Sequence, residues 1–259
     1  MFYSNLASLS CGNYEENLDI RDIFNNLSKN ITNIEELIIS LPEQEAKVIT
    51  LVGPFYGRTL LESVCTILIG RLDPFRLLYL KNIQQQSSFK LGIRSGAAIN
   101  WDGDIFEKGI KDNGSSNIWD PNKKFTTIGR GLLGDFYGEI YWQKAYQKLL
   151  DLTVDLHDSH LLNKYREQTS ADKFTLRIRQ TASTIYSSLS KGVHSELIID
   201  SELVYDKITV FDLLTDTIEL CSVLALISHC IDTCACRLSF DEALNKFISI
   251  EGMCMTYGN

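Results

Sequence analysis

The side chains best suited to chemistry lie between Arg179 and Glu196. If helical geometry persists through Gly192, then Arg179, Ser183, Tyr186, Ser190 and His194 follow spacings of four, three, four and four and share one polar stripe. An arginine there can neutralise a phosphate and the hydroxyls can donate hydrogen bonds. A histidine is the side chain whose ordinary pKa suits proton transfer near neutrality. The candidate catalytic set is therefore His194, Ser190 and Arg179. A plain alternative stays open: His194 closes a helix C-terminus, where its protonated form meets the negative dipole end, and the hydroxyls are simply solvated.

Other constellations are weaker. His229, Cys230, Cys234 and Cys236 are close in sequence. Zinc takes converging ligands, usually from paired turns, whereas these cysteines read as members of an apolar helix with Leu224, Leu226, Ile227 and Ile231. Core packing is the expectation for them, and metal binding by Cys230, Cys234 and Cys236 is left open. His157 and His160, with Asp155 and Asp158, offer two ligands on one face but no HExxH pattern. Trp101-Asp102-Gly103-Asp104 is too short for a calcium loop. Gly129-Arg130-Gly131 and Gly134 lack a P-loop lysine, and no GxSxG elbow occurs. Neither a metal nor a cofactor is called for.

The elements that must position these residues are mostly helices, because apolar residues recur at three and four. Ile20 to Leu41 reads as one or two short helices, with Asn30 and Asn33 as turn or cap residues between them. The series Val48, Leu51, Val52, Phe55, Leu60, Leu61, Val64, Ile67, Leu68, Leu72 predicts a long buried helix, kinked or broken near Gly53-Pro54. Asp73-Pro74 ends it and starts the next, with Asp73 as N-cap and Pro74 at the first helical position. Turn formers dominate 85–125, which predicts an irregular insertion. Leu133 to Leu156 predicts an amphipathic helix of several turns. A second runs from about Ala171 to Lys191 on the core stripe Ile178, Ala182, Ile185, Leu189. Ile198 to Val210 reads as a short hairpin or an extended link. Helices from Phe211 to about Cys236 and from Phe240 to Ile250 close the chain, the latter with a capping box of Ser239 and Glu242. The expected fold is a mainly α helical bundle, with residues 1–42 as an N-terminal helical segment and 43–259 as the main domain carrying the insertion at about 85–125.

The 259 residues are 44% hydrophobic with only 4 Pro, enough for a core without staples and unlike a disordered chain. Seven cysteines without a framework spacing predict free thiols in a reducing compartment. The first residues lack a basic n-region and a sustained apolar stretch, and no apolar run is long enough for a bilayer span, so the expectation is a cytoplasmic protein without membrane contact. The net charge of −8 is uneven: residues 1–47 hold three Lys/Arg against eight Asp/Glu, and 195–259 hold three against eleven. Residues 58–94 carry Arg58, Arg71, Arg76, Lys81, Lys90 and Arg94 against Glu62 and Asp73. Any nucleic-acid contact therefore belongs to the middle of the chain.

The segment TASTIYSSLSKGVHSEL, 181–197, resembles the C-terminal motif helix of HEPN-type domains, α-helical domains abundant in prokaryotic toxin and antiviral-defence proteins. GRTLLESVCTILIGRLDP, 57–74, resembles their earlier long helix, with Glu62 as an acidic residue in its apolar face. The resemblance covers about 45–80 and 130–200. It places the family's histidine on His194 and its polar residue on Ser190. Nuclease members carry an arginine shortly before the histidine, whereas here 186–190 is YSSLS and the nearest upstream arginine is Arg179. Members with weakened motifs serve as binding or assembly modules. The resemblance thus implies a helical subunit or adaptor of a prokaryotic antiviral-defence assembly, oligomerising as a homodimer or with a protein partner through Tyr186, Ser190 and His194. The alternative is a metal-independent ribonuclease toxin. There His194 would act on a ribose 2′-hydroxyl of RNA, with Ser190 orienting it and Arg179 on the phosphate.

Overall fold

The computed structural model describes residues 5–16, 18–90, 132–134, 137–193 and 205–257. Among them every regular element is a helix and there is no strand: α1 (Asn5–Cys11), α2 (Leu18–Ser40), α3 (Ala46–Leu72), α4 (Pro74–Gln84), α5 (Gln143–Leu152), α6 (His160–Gln168), α7 (Ala171–Val193), α8 (Lys207–Ser228) and α9 (Phe240–Tyr257). The mainly α bundle is the observed architecture. The insertion at 85–125 falls, from residue 91 onward, outside the described residues.

Helix α3 is the axis of the bundle. Leu60, Leu61, Val64, Cys65, Ile67, Leu68 and Ile69 are fully buried, apolar on every side, as in a helix surrounded by others. Helix α8 runs parallel to it: Leu214 lies against Gly57, and Ser228 bonds Arg71 near the ends of both helices. Helix α7 is antiparallel, with Tyr186 beside Arg58 and Gly192 against the Pro54 ring. Gly57 makes the triple contact feasible, because a Cβ there would stand 2.8 Å from a Leu189 methyl and 3.1 Å from one of Leu214. The stripe Ile178, Ala182, Ile185, Leu189 is buried as its spacing requires. Helices α1 and α2 contribute Leu6, Leu9, Phe24, Ile31 and Ile38 to the same buried cluster. Tyr146 of α5 stacks on Phe174 of α7, with ring centroids 4.1 Å apart.

Several elements differ from the sequence expectation, each for a local reason. Residues 18–40 form one helix, because Asn30 is not a turn residue: its side-chain amide donates to Ser63 Oγ at 2.9 Å and joins α2 to α3. Helix α3 passes unbroken through Gly53 and Pro54, both buried. Its first half is less enclosed than the apolar series implied, with Val48, Leu51 and Phe55 exposed. Asp73 caps α4 by position only; its carboxylate takes Arg76 Nε at 2.9 Å instead of a backbone amide. The helix expected to Leu156 passes through a π-helical turn, Gly138–Trp142, and stops at Leu152. Beyond it the carbonyls of Thr153 and Leu156 accept from Arg166 of α6. The link expected to Val210 already turns helical at Lys207, where Asp206 accepts from the Thr209 amide at 2.7 Å. The capping box at Ser239 and Glu242 forms, with both reciprocal bonds to the backbone.

Helix α8 ends at Ser228, so Cys230, Cys234 and Cys236 stand in turns rather than on a helix. The cause is Arg71. Its side chain is fully buried, yet no carboxylate meets it among the described residues. Nε donates to the Ala235 carbonyl at 2.9 Å, and Nη1 donates to the Ser10 carbonyl at 3.0 Å and Ser228 Oγ at 2.7 Å. Nη2 lies 3.2 Å from His229 Nδ1, which also accepts from the Leu238 amide. His229 is therefore neutral, with its proton on Nε2 donated to the Leu9 carbonyl at 2.8 Å. Helices α1, α3 and α8 all end at this guanidinium, and their negative dipole ends supply the compensation a carboxylate would otherwise give.

Candidate functional site

The polar stripe forms as its spacing requires as far as Val193, the end of α7. His194, the residue to which the proton-transfer role falls, lies outside the described residues. Tyr186 and Ser190 are half-buried, Ser183 is exposed and Arg179 is half-buried two turns before Tyr186. Ser190 Oγ donates to the Tyr186 carbonyl at 2.7 Å, so its proton is used within its own helix. Its lone pairs remain for an incoming donor.

Tertiary structure adds a residue that the sequence did not single out for the stripe. Arg58 reaches across from α3, and its Nη2 donates to the Tyr186 hydroxyl at 2.8 Å. Its Nε donates to Glu62 Oε1 at 3.0 Å, and its guanidinium carbon stands 4.8 Å from the centroid of the Tyr186 ring. The Glu62 hydrogen bond is the main force raising the Arg58 pKa, with Tyr186 adding to it. Glu62, expected in the apolar face, is 45% exposed at the rim of the α3–α7 contact. An Arg and a Glu four apart on one helix are legible as a pair. That Tyr186, 128 residues away, completes them is not.

Next to this trio α3 presents an apolar ridge. Val48, Leu51 and Phe55 lie on one side of the helix, with Phe55 53% exposed. Since Pro54 packs on Gly192, their neighbours Phe55 and Val193 stand at the same end of the α3–α7 contact, and Val193 is exposed too. Aromatic, arginine and aliphatic side chains are thus brought together on a partly exposed face.

The cationic run 58–94 does not form one charged surface. Arg71 is wholly internal, and Arg76 is 3% exposed, bonded to Asp73 and to the Tyr137 hydroxyl at 3.1 Å. Arg58 is engaged as described, and Lys81 Nζ reaches the Asp19 carbonyl at 3.4 Å. Arg94 lies outside the described residues. His157 and His160 are exposed around the start of α6. Among the described residues no group of three or more His, Cys, Asp or Glu is placed to hold a metal, and no helix is long and apolar enough to cross a membrane. The six cysteines whose side chains are described carry free thiols; five are buried, Cys236 partly so. Burial raises their pKa values, which lowers their reactivity.

Comparison with models of known families, with curated proteins and with solved structures gives no match to this chain.

Proposed function

We propose that this chain is a HEPN-like helical subunit or adaptor of a prokaryotic antiviral-defence assembly and acts by protein–protein association through the α3–α7 face. The observation that carries the reading is the Arg58–Tyr186 pair, ordered by Glu62 and flanked by Leu51, Phe55 and Val193. Arginine and tyrosine dominate interface hot spots, and holding them in place beforehand lowers the entropy cost of binding. Internal use of Arg71 and Arg76 argues in the same direction, since each arginine spent in the core is lost to a phosphate backbone. Ser190 extends the proposed face along α7, and His194, the next residue in sequence after Val193, belongs to the same proposal.

A second reading, a metal-independent ribonuclease toxin, rests on one specific observation. Arg58 brings to Tyr186 a guanidinium that the motif segment itself lacks. In that reading His194 moves the proton, Ser190 orients it, and Arg179 and Arg58 meet the phosphate.

Light scattering on the protein, alone and with the products of neighbouring genes, tests the association, paired with incubation on total RNA in chelator. The association reading expects an assembly that Phe55→Asp dissociates, with RNA left intact. A monomer under all conditions together with RNA cleavage would replace it with the second reading.

A further inference from the structure

Helices α2 and α4 border a cleft that neither reading uses. Its volume is about 570 Å³, within the range of about 300–1,000 Å³ common to small-molecule sites, and it shares no residue with the α3–α7 face. Its apolar part is Ile23 and Leu27 from α2 with Leu77 and Leu80 from α4. Leu77 is buried and the other three are half-buried. The walls are fixed to α3 on both sides. A Cβ on Gly70 would stand 2.1 Å from a Leu77 methyl, so α4 lies close on α3, and the Asn30 amide joins α2 to Ser63 of α3 at 2.9 Å. Lys81 Nζ donates to the Asp19 carbonyl at 3.4 Å and ties α4 to the start of α2. The cleft is therefore formed before any ligand arrives.

Its polar part carries one charge of each sign, Asp22 on α2 and Lys81 on α4. Among the described residues no ion pair joins the two, and the Asp22 carboxylate accepts no hydrogen bond. Asn26 follows Asp22 by four positions, and Gln84 and Gln85 follow Lys81 by three and four, so each helix turns one polar row to the cleft. Each of these amides offers both a donor and an acceptor. Thr66 comes from α3, and its hydroxyl donates to the Glu62 carbonyl at 2.7 Å, which leaves only its lone pairs for a ligand. Opposite charges held apart on separate helices fit a molecule that carries both. A phosphate-bearing ligand would satisfy Lys81 but set its negative charge against Asp22. No aromatic ring is among the described lining residues, so a base has nothing to stack on.

We propose that the α2–α4 cleft binds a small zwitterion with an apolar body, an apolar α-amino acid or its dipeptide. The ammonium meets Asp22, the carboxylate meets Lys81, and the side chain lies on Ile23, Leu27, Leu77 and Leu80. Asn26, Gln84 and Gln85 bind the peptide group of a dipeptide and stay with water around a single amino acid. Asp22 is exposed and Lys81 half-buried, so each charge contributes about fivefold in affinity, the upper end for a screened pair.

The test uses the whole chain, titrated with L-leucine and with L-leucyl-L-leucine and followed by nitrogen-15 NMR. We expect saturable shifts of the Ile23, Leu27, Leu80 and Gln84 amide signals, and the tighter of the two probes tells amino acid from dipeptide. Acetylating the ammonium of that probe, or amidating its carboxylate, should each weaken binding about fivefold. Asp22→Asn should erase the effect of acetylation alone, and Lys81→Gln that of amidation alone. The absence of a saturable shift with either probe up to about 10 mM would overturn the proposal. Blocked probes that bind the wild type as well as free ones would do the same, even if a variant failed to fold. So would tighter binding of adenosine monophosphate in the same cleft.

Discussion

Replacing Arg71 by Met is the most informative single change to this fold. Methionine keeps the apolar stem and removes the guanidinium, so the cost lies in what the guanidinium bonds. Ser228 Oγ still donates to the Ala225 carbonyl, and His229 Nδ1 still accepts from Leu238. The carbonyls of Ser10 and Ala235 lose the Arg71 donors that reach them at 3.0 and 2.9 Å. A buried polar group left unsatisfied costs about 1–3 kcal/mol, so the two together cost about 4 kcal/mol. That is a large share of a typical 5–15 kcal/mol. At a urea slope of about 3 kcal/mol per molar, the unfolding midpoint should fall by a little over 1 M, followed by circular dichroism. Arg71→Lys should recover only part of the loss, because an ammonium cannot span the fork from Ala235 to His229. Apolar replacement of a buried charge is often neutral or stabilising where the charge is merely tolerated. An unchanged or higher midpoint in Arg71→Met would therefore refute the view that the guanidinium gathers the three helix ends.

The remaining predictions concern backbone, titration and activity. Gly12 has φ +65°, and a Cβ there would stand 1.7 Å from the Cys236 carbonyl oxygen, so Gly12→Ala should cost about 3 kcal/mol or more by thermal denaturation. Burial, with Arg71 adding to it, lowers His229 from 6.5 to about 3, so its contribution is present above pH 6.5 and lost as pH falls towards 3. Burial raises the Glu35 carboxyl from 4.5 to about 8, so its contribution is full below pH 4.5 and lost as pH rises towards 8. Melting temperature should be highest between about pH 4.5 and 6.5, and Glu35→Gln should remove the alkaline limb and move the maximum above pH 6.5 while the limb below 4.5 stays. Under the association reading His194→Ala lowers assembly or stability without touching RNA; under the nuclease reading it abolishes cleavage and cellular toxicity with a stability loss of at most about 1–2 kcal/mol. Tyr186→Glu is a poor probe of the interface, because Arg58 stands ready to pair the new carboxylate; Tyr186→Ala should weaken association while the buried stripe stays intact.

What the sequence made legible is what periodicity and local chemistry encode. The helix of 171–193, its core stripe, the Asp73-Pro74 boundary and the Ser239–Glu242 box each depend on residues within a few positions of one another. What stayed illegible depends on a partner far along the chain. Arg71 and Arg76 read as a cationic stretch because a sequence does not record that the Ser10 and Ala235 carbonyls, 61 residues before and 164 after, close around Arg71. The same blindness extended the last part of α8 to Cys236, since apolar content alone continues the helix while Arg71 and His229 end it. The candidate site divides along the same line. Tyr186 and Ser190 were found from spacing on one helix, whereas Arg58 enters only when α3 and α7 pack antiparallel on Gly57 and Gly192. An arginine placed beside a motif by tertiary packing answers to the geometry of the packing rather than to a sequence interval. Shortening the Leu189 side chain that rests on Gly57 should therefore shift Arg58 relative to Tyr186 and weaken the α3–α7 face without altering any residue on it.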